Sequence, residues 1–180
     1  MRTWYGHRHM LAIGALVVGM LAGCGTTSAH KQPVAATSDV DPVAAARHDA
    51  VAAYEGMWDD MAKAGETADW QDPALASHAT DSALGILVKI LKMDEQEGAV
   101  IKGGPPAMDP TITSLEPSSS PTVVMLQDCL KTSNWLMYRK STGALWDDKP
   151  GGNRATTAEV VQSRGVWKVV NFSSSSLGSC

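Results

Sequence analysis

The chain is poor in the residues that chemistry usually needs. It has five histidines and three cysteines in 180 residues. Only His30, His48 and His78 lie beyond residue 24, the first in a polar stretch and the second where a polar helix face is expected. No CxxC, HExxH or GxSxG occurs, so the usual zinc frameworks and the nucleophile elbow are missing. The acidic pairs Asp59-Asp60 and Asp147-Asp148 do not fall in EF-hand spacing and read as solvated faces. Gly103-Gly104 and Gly151-Gly152 lack the strand-loop-helix setting of a phosphate cradle and read as turns. No cofactor is expected. There is no basic cluster either, which argues against nucleic acid and against electrostatic docking to anionic lipid. After residue 24 no apolar run is long enough to span a membrane, and no repeat of fixed period is visible.

What is present begins with the N-terminal segment. Arg2 and Arg8 precede an apolar core from Met10 to Leu21, and no Asp or Glu occurs before Asp39. A core of about 12 residues is too short for a spanning helix, which needs roughly 20, and it lacks the two-faced period of a surface helix. These are the parts of an export signal. Leu21-Ala22-Gly23-Cys24 closes it and resembles the lipobox of bacterial lipoproteins. The resemblance implies removal of residues 1–23 and a diacylglycerol on the sulfur of Cys24, with a further acyl chain on its new amino group. Two or more chains anchor a protein stably where one does so marginally. An ordinary cleaved signal without lipid is the competing reading. No Arg-Arg pair is present, so the general secretory route is expected over the twin-arginine one.

Cleavage would leave 157 of the 180 residues, with 13 basic against 19 acidic side chains once Arg2 and Arg8 are gone. That length suits one domain with a real core. Residues 24–40 read as a lipidated tether: Gly25 to Val40 is small, polar and without apolar period. A flexible segment of that length has a mean span of about 22 Å. The expected organisation is therefore a signal peptide at 1–23, a tether at 24–40 and a single domain at 41–180. Its location would be the extracytoplasmic face of the cell membrane, held by the lipid. The two remaining cysteines, Cys129 and Cys180, most simply form one disulfide in an exported chain. They lie too far apart, with no histidine pair nearby, to make a metal site.

Within residues 41–180 the signals run helix first, then strand. Asp41-Pro42 is a helix start, Asp as N-cap and Pro as first residue. Val43, Ala46, Ala50, Tyr54, Met57, Trp58 and Met61 then recur at steps of three and four, predicting a helix of about 23 residues that ends at Gly65. Asp72-Pro73 repeats the signal, with a short turn of helix to His78. A further helix from Asp81, burying Ala83, Leu84, Leu87, Val88 and Leu91, closes at Gly98. Strands are predicted at Val100-Ile101, Thr111 to Leu115, Thr122 to Leu130, Trp135 to Lys140, Arg154 to Ser163 and Val166 to Phe172. Hairpin-length connections imply an antiparallel sheet. The fold class is α+β, N-terminal helices packed in a curved antiparallel sheet.

With these elements placed, the chain resembles secreted lipoproteins of actinomycete bacteria. The soluble part of those proteins has the nuclear-transport-factor-2-like cone, shared with ketosteroid isomerases and also described as cystatin-like. The residues that carry the resemblance are Tyr54, Met57 and Trp58, then Asp128-Cys129 and Trp135, Gly165-Val166-Trp167-Lys168-Val169, and the terminal Cys180. It implies a sheet that wraps the long first helix and leaves a pocket at its open end. Tyr54, Trp58, Asp128 and Trp135 are the candidate lining, although Trp58, Trp135 and Trp167 read first as core. In enzymes of this fold such a pocket holds a general-base carboxylate and a hydroxyl donor. Tyr54, Asp81 and Asp128 are the residues that could do that work. Each also has a purely architectural reading. Tyr54 falls in the core stripe with its hydroxyl at the rim, Asp81 is a helix N-cap, and Asp128 pairs with a neighbouring Arg or Lys.

Two classes of function follow. The first is a membrane-anchored binding or interaction module for a small apolar ligand or an envelope protein, with no catalytic residue. The second is a small isomerase, dehydratase or hydrolase using the same pocket. The first is favoured, because every residue an enzyme would need is explained by structure alone.

Overall fold

The computed structural model describes residues 41–180. The expected signal peptide, tether and lipid site at Cys24 lie outside the described residues. The described span is α+β, as expected. It comprises α1 (Pro42–Gly65), α2 (Leu75–His78), α3 (Asp81–Glu97), then β1 (Ala99–Lys102), β2 (Thr111–Glu116), β3 (Val123–Lys131), β4 (Leu136–Arg139), β5 (Asn153–Ser163) and β6 (Val166–Ser174).

The first helix starts where Asp41 accepts the Val43 amide at 2.9 Å, satisfying one of the orphan N–H groups of the first turn. Its stripe Ala46, Ala50, Tyr54, Met57, Trp58 and Met61 is buried. One residue departs from the pattern. Asp60, expected on a solvated face, is 8% exposed, and its Oδ2 lies 2.7 Å from Nδ1 of His78 on α2. The imidazole rests on Gly56, where any Cβ would come within 2.8 Å of the ring. The short α2 is thus clamped to α1 by a glycine gap and a carboxylate–imidazole contact.

Asp81 was expected as the N-cap of α3. Instead Thr80 occupies that position without a side-chain bond, and Asp81 is the first helical residue, at φ 48°. The cause lies in the preceding strand-like segment. Ala79 bridges Val169 of β6, and the Thr80 amide donates to the Val169 carbonyl at 2.9 Å. The extended residue nearest the helix therefore becomes the cap, while the exposed Asp81 keeps its favourable position in the first turn. At the other end Gly98 adopts the left-handed conformation, φ 71°, and closes the helix.

Ala83, Leu87 and Leu91 form the buried face of α3, and Asp94 continues it one turn further. Asp94 Oδ2 is buried with no hydrogen-bond partner among the described residues. Burial, and secondarily the charge of Glu97, raises this carboxyl to about 6 from 3.8. A raised carboxyl favours folding in its neutral form. That contribution is complete below pH 3.8 and is lost as pH rises through about 6. Asp94→Asn should therefore raise the unfolding free energy at pH 8 by about 1–2 kcal/mol, less than the full shift implies because the group is partly solvated. The gain should vanish near pH 4 in paired urea titrations. An equal effect at both pH values would show that charge is not the cause.

The strands divide into two antiparallel sheets, ordered β2-β3-β5-β6 and β1-β4. In β3, Val124, Leu126, Asp128 and Leu130 point inward with period two. Bulges between Ile112 and Ser114 and between Glu159 and Val160 shift the register and bend the four-stranded sheet. Arg164 and Gly165, at φ 53° and 80°, make the two-residue turn between β5 and β6.

A single sheet was the expectation, and β4 departs from it. Leu130 pairs with Arg154 of β5, while Leu136–Arg139 pairs with β1 instead. The β3–β4 corner is pulled to that side by polar contacts. Asn134 Nδ2 donates to the carbonyls of Gly103 and Pro105 at 2.6 and 3.0 Å, and Trp135 Nε1 donates to that of Gly104 at 2.7 Å.

Candidate functional site

The long helix, the second sheet and one end of the larger sheet do not close completely. Between them lies a cleft of about 680 Å³, within the usual range of small-molecule sites. Trp58 is its organising side chain. Its ring makes edge contacts with Trp135 at 6.4 Å, Phe172 at 5.3 Å and Tyr54 at 6.4 Å between centroids. Such pairs add about 0.5–1.5 kcal/mol each beyond their buried area and hold the rings in place. Met61 continues the α1 wall, Ile86 and Ile90 come from α3, Ile101 from β1 and Met137 from β4.

The opposite side is built from Leu130 and Thr132, the segment Lys149-Pro150-Gly151, Arg154, the end of β6 and Leu177 of the tail. The long connection after β4 is brought here by local contacts. Trp146 donates its amide to Met137 and stacks under Arg139 at 4.6 Å. The Gly151 amide donates to the Trp135 carbonyl at 2.9 Å, and a Cβ at Gly151 would strike the Thr132 carbonyl oxygen. Gly151 is thus required by a close approach of two backbones.

The C-terminal tail is fastened beside the cleft. Cys129 of β3 and Cys180 are joined, as expected, with 5.9 Å between their Cα atoms. Ser175 and Gly178 donate amides to Ala155 and Asn153, and the Ala155 amide donates to Ser179 Oγ.

The residues expected to line the pocket separate into two groups. Trp58 and Trp135 line it. Tyr54 and Asp128 lie behind the wall and face each other. Tyr54 is fully buried, and its hydroxyl donates to Asp128 Oδ2 at 3.1 Å. The Asp109 amide donates to Oδ1 at 3.0 Å. The hydroxyl is therefore not at a rim, and Asp128 is partnered by a phenol and an amide instead of Arg or Lys. The reason is register: Asp128 is an inward position of β3, facing the α1 residue one turn before Trp58. Burial first, and then the negative charge of Asp128, push the Tyr54 phenol well above its ordinary value. The neighbouring Trp58 indole opposes that rise, although Nε1 itself makes no hydrogen bond of good geometry among the described residues. Asp81, the third candidate, is exposed at the start of α3 and is not part of the lining.

Sequence reasoning missed Met61, Ile86, Ile90, Ile101, Met137, Lys149, Arg154, Phe172 and Leu177 as cleft residues. One signal was available. Ile86 and Ile90 are four apart on α3 but fall one residue off its buried stripe, so they mark a second apolar face. Among the described residues no group of three His, Cys, Asp or Glu side chains could hold a metal ion.

No protein-family model and no curated protein sequence matches the chain. The solved structures similar to it in fold include the following two. One is the intermembrane space region of the chloroplast protein ARC6, at 17% identity over 70% of this chain and 95% of that one, with a TM-score of 0.44. The other is a protein of unknown function with a cystatin-like fold from Nostoc punctiforme, at 11% identity over 73% of this chain and 93% of that one, with a TM-score of 0.43.

Proposed function

We propose that the protein is a lipid-anchored binding module of the extracytoplasmic membrane face, whose nuclear-transport-factor-2-like domain holds a small apolar ligand in the cleft beside Trp58. The observation that carries the ligand reading is the cleft itself: about 680 Å³, walled on the helical side by apolar side chains alone. An apolar cavity of this size gains free energy from any matching hydrocarbon surface. The lipobox at Leu21 to Cys24 supports the anchor, and the order of helices and strands supports the family. The enzymatic alternative gains nothing from the geometry, because both oxygens of Asp128 are engaged behind the wall.

A solvatochromic apolar fluorophore added to the full-length protein should bind saturably, one per chain, with a micromolar dissociation constant. Ile86→Trp, which fills the cleft from α3, should abolish that binding without lowering the melting temperature. Undiminished binding by a folded Ile86→Trp variant would overturn the ligand reading. The anchor is tested separately: Cys24→Ala should abolish incorporation of an alkyne fatty acid, and equal labelling of the variant would remove it.

A further inference from the structure

The polar groups of the cleft are not scattered. Every lining residue contributed by α1, α3, β1 and β4 is apolar, as is Trp135 just before β4. Every charged or hydroxyl-bearing one belongs to the side formed by the end of β3 with Thr132 just after it, the loop before β5, β5 itself and β6. The two charged members are Lys149 and Arg154, and no carboxylate lines the cleft among the described residues. This stands against a chain that carries 19 acidic and 15 basic residues. Neither cation forms a salt bridge among the described residues. Of the two acids that precede Lys149 in the loop, Asp147 and Asp148, Asp147 accepts the Lys149 backbone amide.

Arg154 is held in place. Its Nη1 donates to the Ser175 carbonyl at 2.9 Å, which leaves further N–H groups of the guanidinium fork available. Its backbone is fixed by pairing with Leu130. Lys149 is exposed on the loop seated by Gly151. A guanidinium of fixed position and an exposed ammonium lining the same cleft suit a compact oxyanion, which Arg can engage with two parallel bonds.

We propose that the ligand is a single-chain amphiphile with an anionic oxygen head, a carboxylate or a phosphate monoester. Its hydrocarbon chain lies along the apolar wall of Trp58, Ile86, Ile90 and Ile101, and its head is held by Arg154 and Lys149. This rests on the ligand-binding reading of the same cleft and adds the polarity and direction of the ligand. The apolar wall recognises the chain by area alone and tolerates differences in length. The cationic side selects the head, because a neutral head forgoes the charge-assisted bonds and a cationic one meets like charge.

The test is displacement of the bound fluorophore from the full-length protein by laurate, dodecyl phosphate, dodecanol and dodecyltrimethylammonium, all below their micellar concentrations. At least one of the two anions should bind about 10-fold tighter than the alcohol, and the cation weakest. Lys149→Gln and Arg154→Gln should each weaken the preferred anion several-fold and leave dodecanol within about twofold. Arg154→Gln also removes the bond to Ser175, so Lys149→Gln, whose side chain makes no hydrogen bond among the described residues, is the decisive variant. The relative strength of laurate and dodecyl phosphate assigns the head. Equal affinity for the alcohol and both anions, a preference for the cation, or an unchanged anion affinity in Lys149→Gln overturns the proposal while the cleft remains a binding site. Failure of the fluorophore itself to bind overturns both.

Discussion

Cys180→Ser should lower the unfolding free energy of the domain by about 2–4 kcal/mol and weaken ligand binding in the cleft. The bond joins positions 51 residues apart. In the chain-entropy model, closing a loop of that length removes about 4 kcal/mol of unfolded-state freedom, and enthalpic terms reduce what is realised. The folded state loses something as well. Beyond β6 the tail is exposed, and its other fastenings to β5 among the described residues are two backbone hydrogen bonds, to Ala155 and Asn153, the Ala155 amide's bond to the Ser179 hydroxyl, and the Arg154 contact at Ser175. Exposed bonds of this kind each contribute about 1 kcal/mol or less, too little to order the segment against its own entropy. Released, it carries Leu177 away from the cleft. Wild type in reductant and the variant without reductant should therefore share one lowered urea midpoint, and reductant should not move the variant further. A variant that melts with oxidised wild type would show that the disulfide does not hold the domain together.

The parts of this fold legible in the sequence are those set by local rules. Asp41-Pro42 announces the first helix because capping and the first-turn geometry of proline are decided within three residues. The stripe from Ala46 to Met61 announces its buried face because the helical period is fixed. Strand positions from Thr111 onward follow from alternation and from the turn at Arg164-Gly165. What was not legible depends on which partner a segment meets. Nothing in Leu136–Arg139 distinguishes pairing with β3 from pairing with β1, and the side-chain bonds of Asn134 and Trp135 to the glycine corner decide it. Asp60 reads as solvent-facing because Asp59 precedes it, yet α2 brings His78 onto its carboxylate. The cleft is half legible for the same reason. Trp58 and Trp135 stand out as large residues on predicted elements. Arg154 and Lys149 become neighbours of the cleft only once the long connection folds back over Thr132.

Asp128→Ala should cost about 2–4 kcal/mol of stability, more than most single changes in the sheet. Asp128 is 5% exposed, and each of its oxygens has a donor: the Tyr54 hydroxyl and the Asp109 amide. Removing it strands a fully buried phenol, at a cost of about 1–3 kcal/mol, with a smaller loss at the part-buried amide and a void between α1 and β3. Tyr54→Phe makes the opposite error. It leaves a buried carboxylate with one donor of two, at a cost of about 1.5–3 kcal/mol because the acceptor is charged. The double variant should cost less than the two single changes added together, by 1 kcal/mol or more, since neither orphan is then left behind. Asp128→Asn retains an oxygen for Tyr54 and should cost least. The same series separates architecture from chemistry. A pair that only ties α1 to the sheet should leave fluorophore affinity unchanged in every variant still folded at 20 °C. A catalytic pair would instead show itself in Asp128→Asn, as lost function in deletion-strain complementation by a protein that melts close to wild type. That outcome would restore the enzyme reading. Full complementation by Asp128→Asn, together with a positive coupling energy in the urea cycle, would establish the pair as the brace behind the cleft wall.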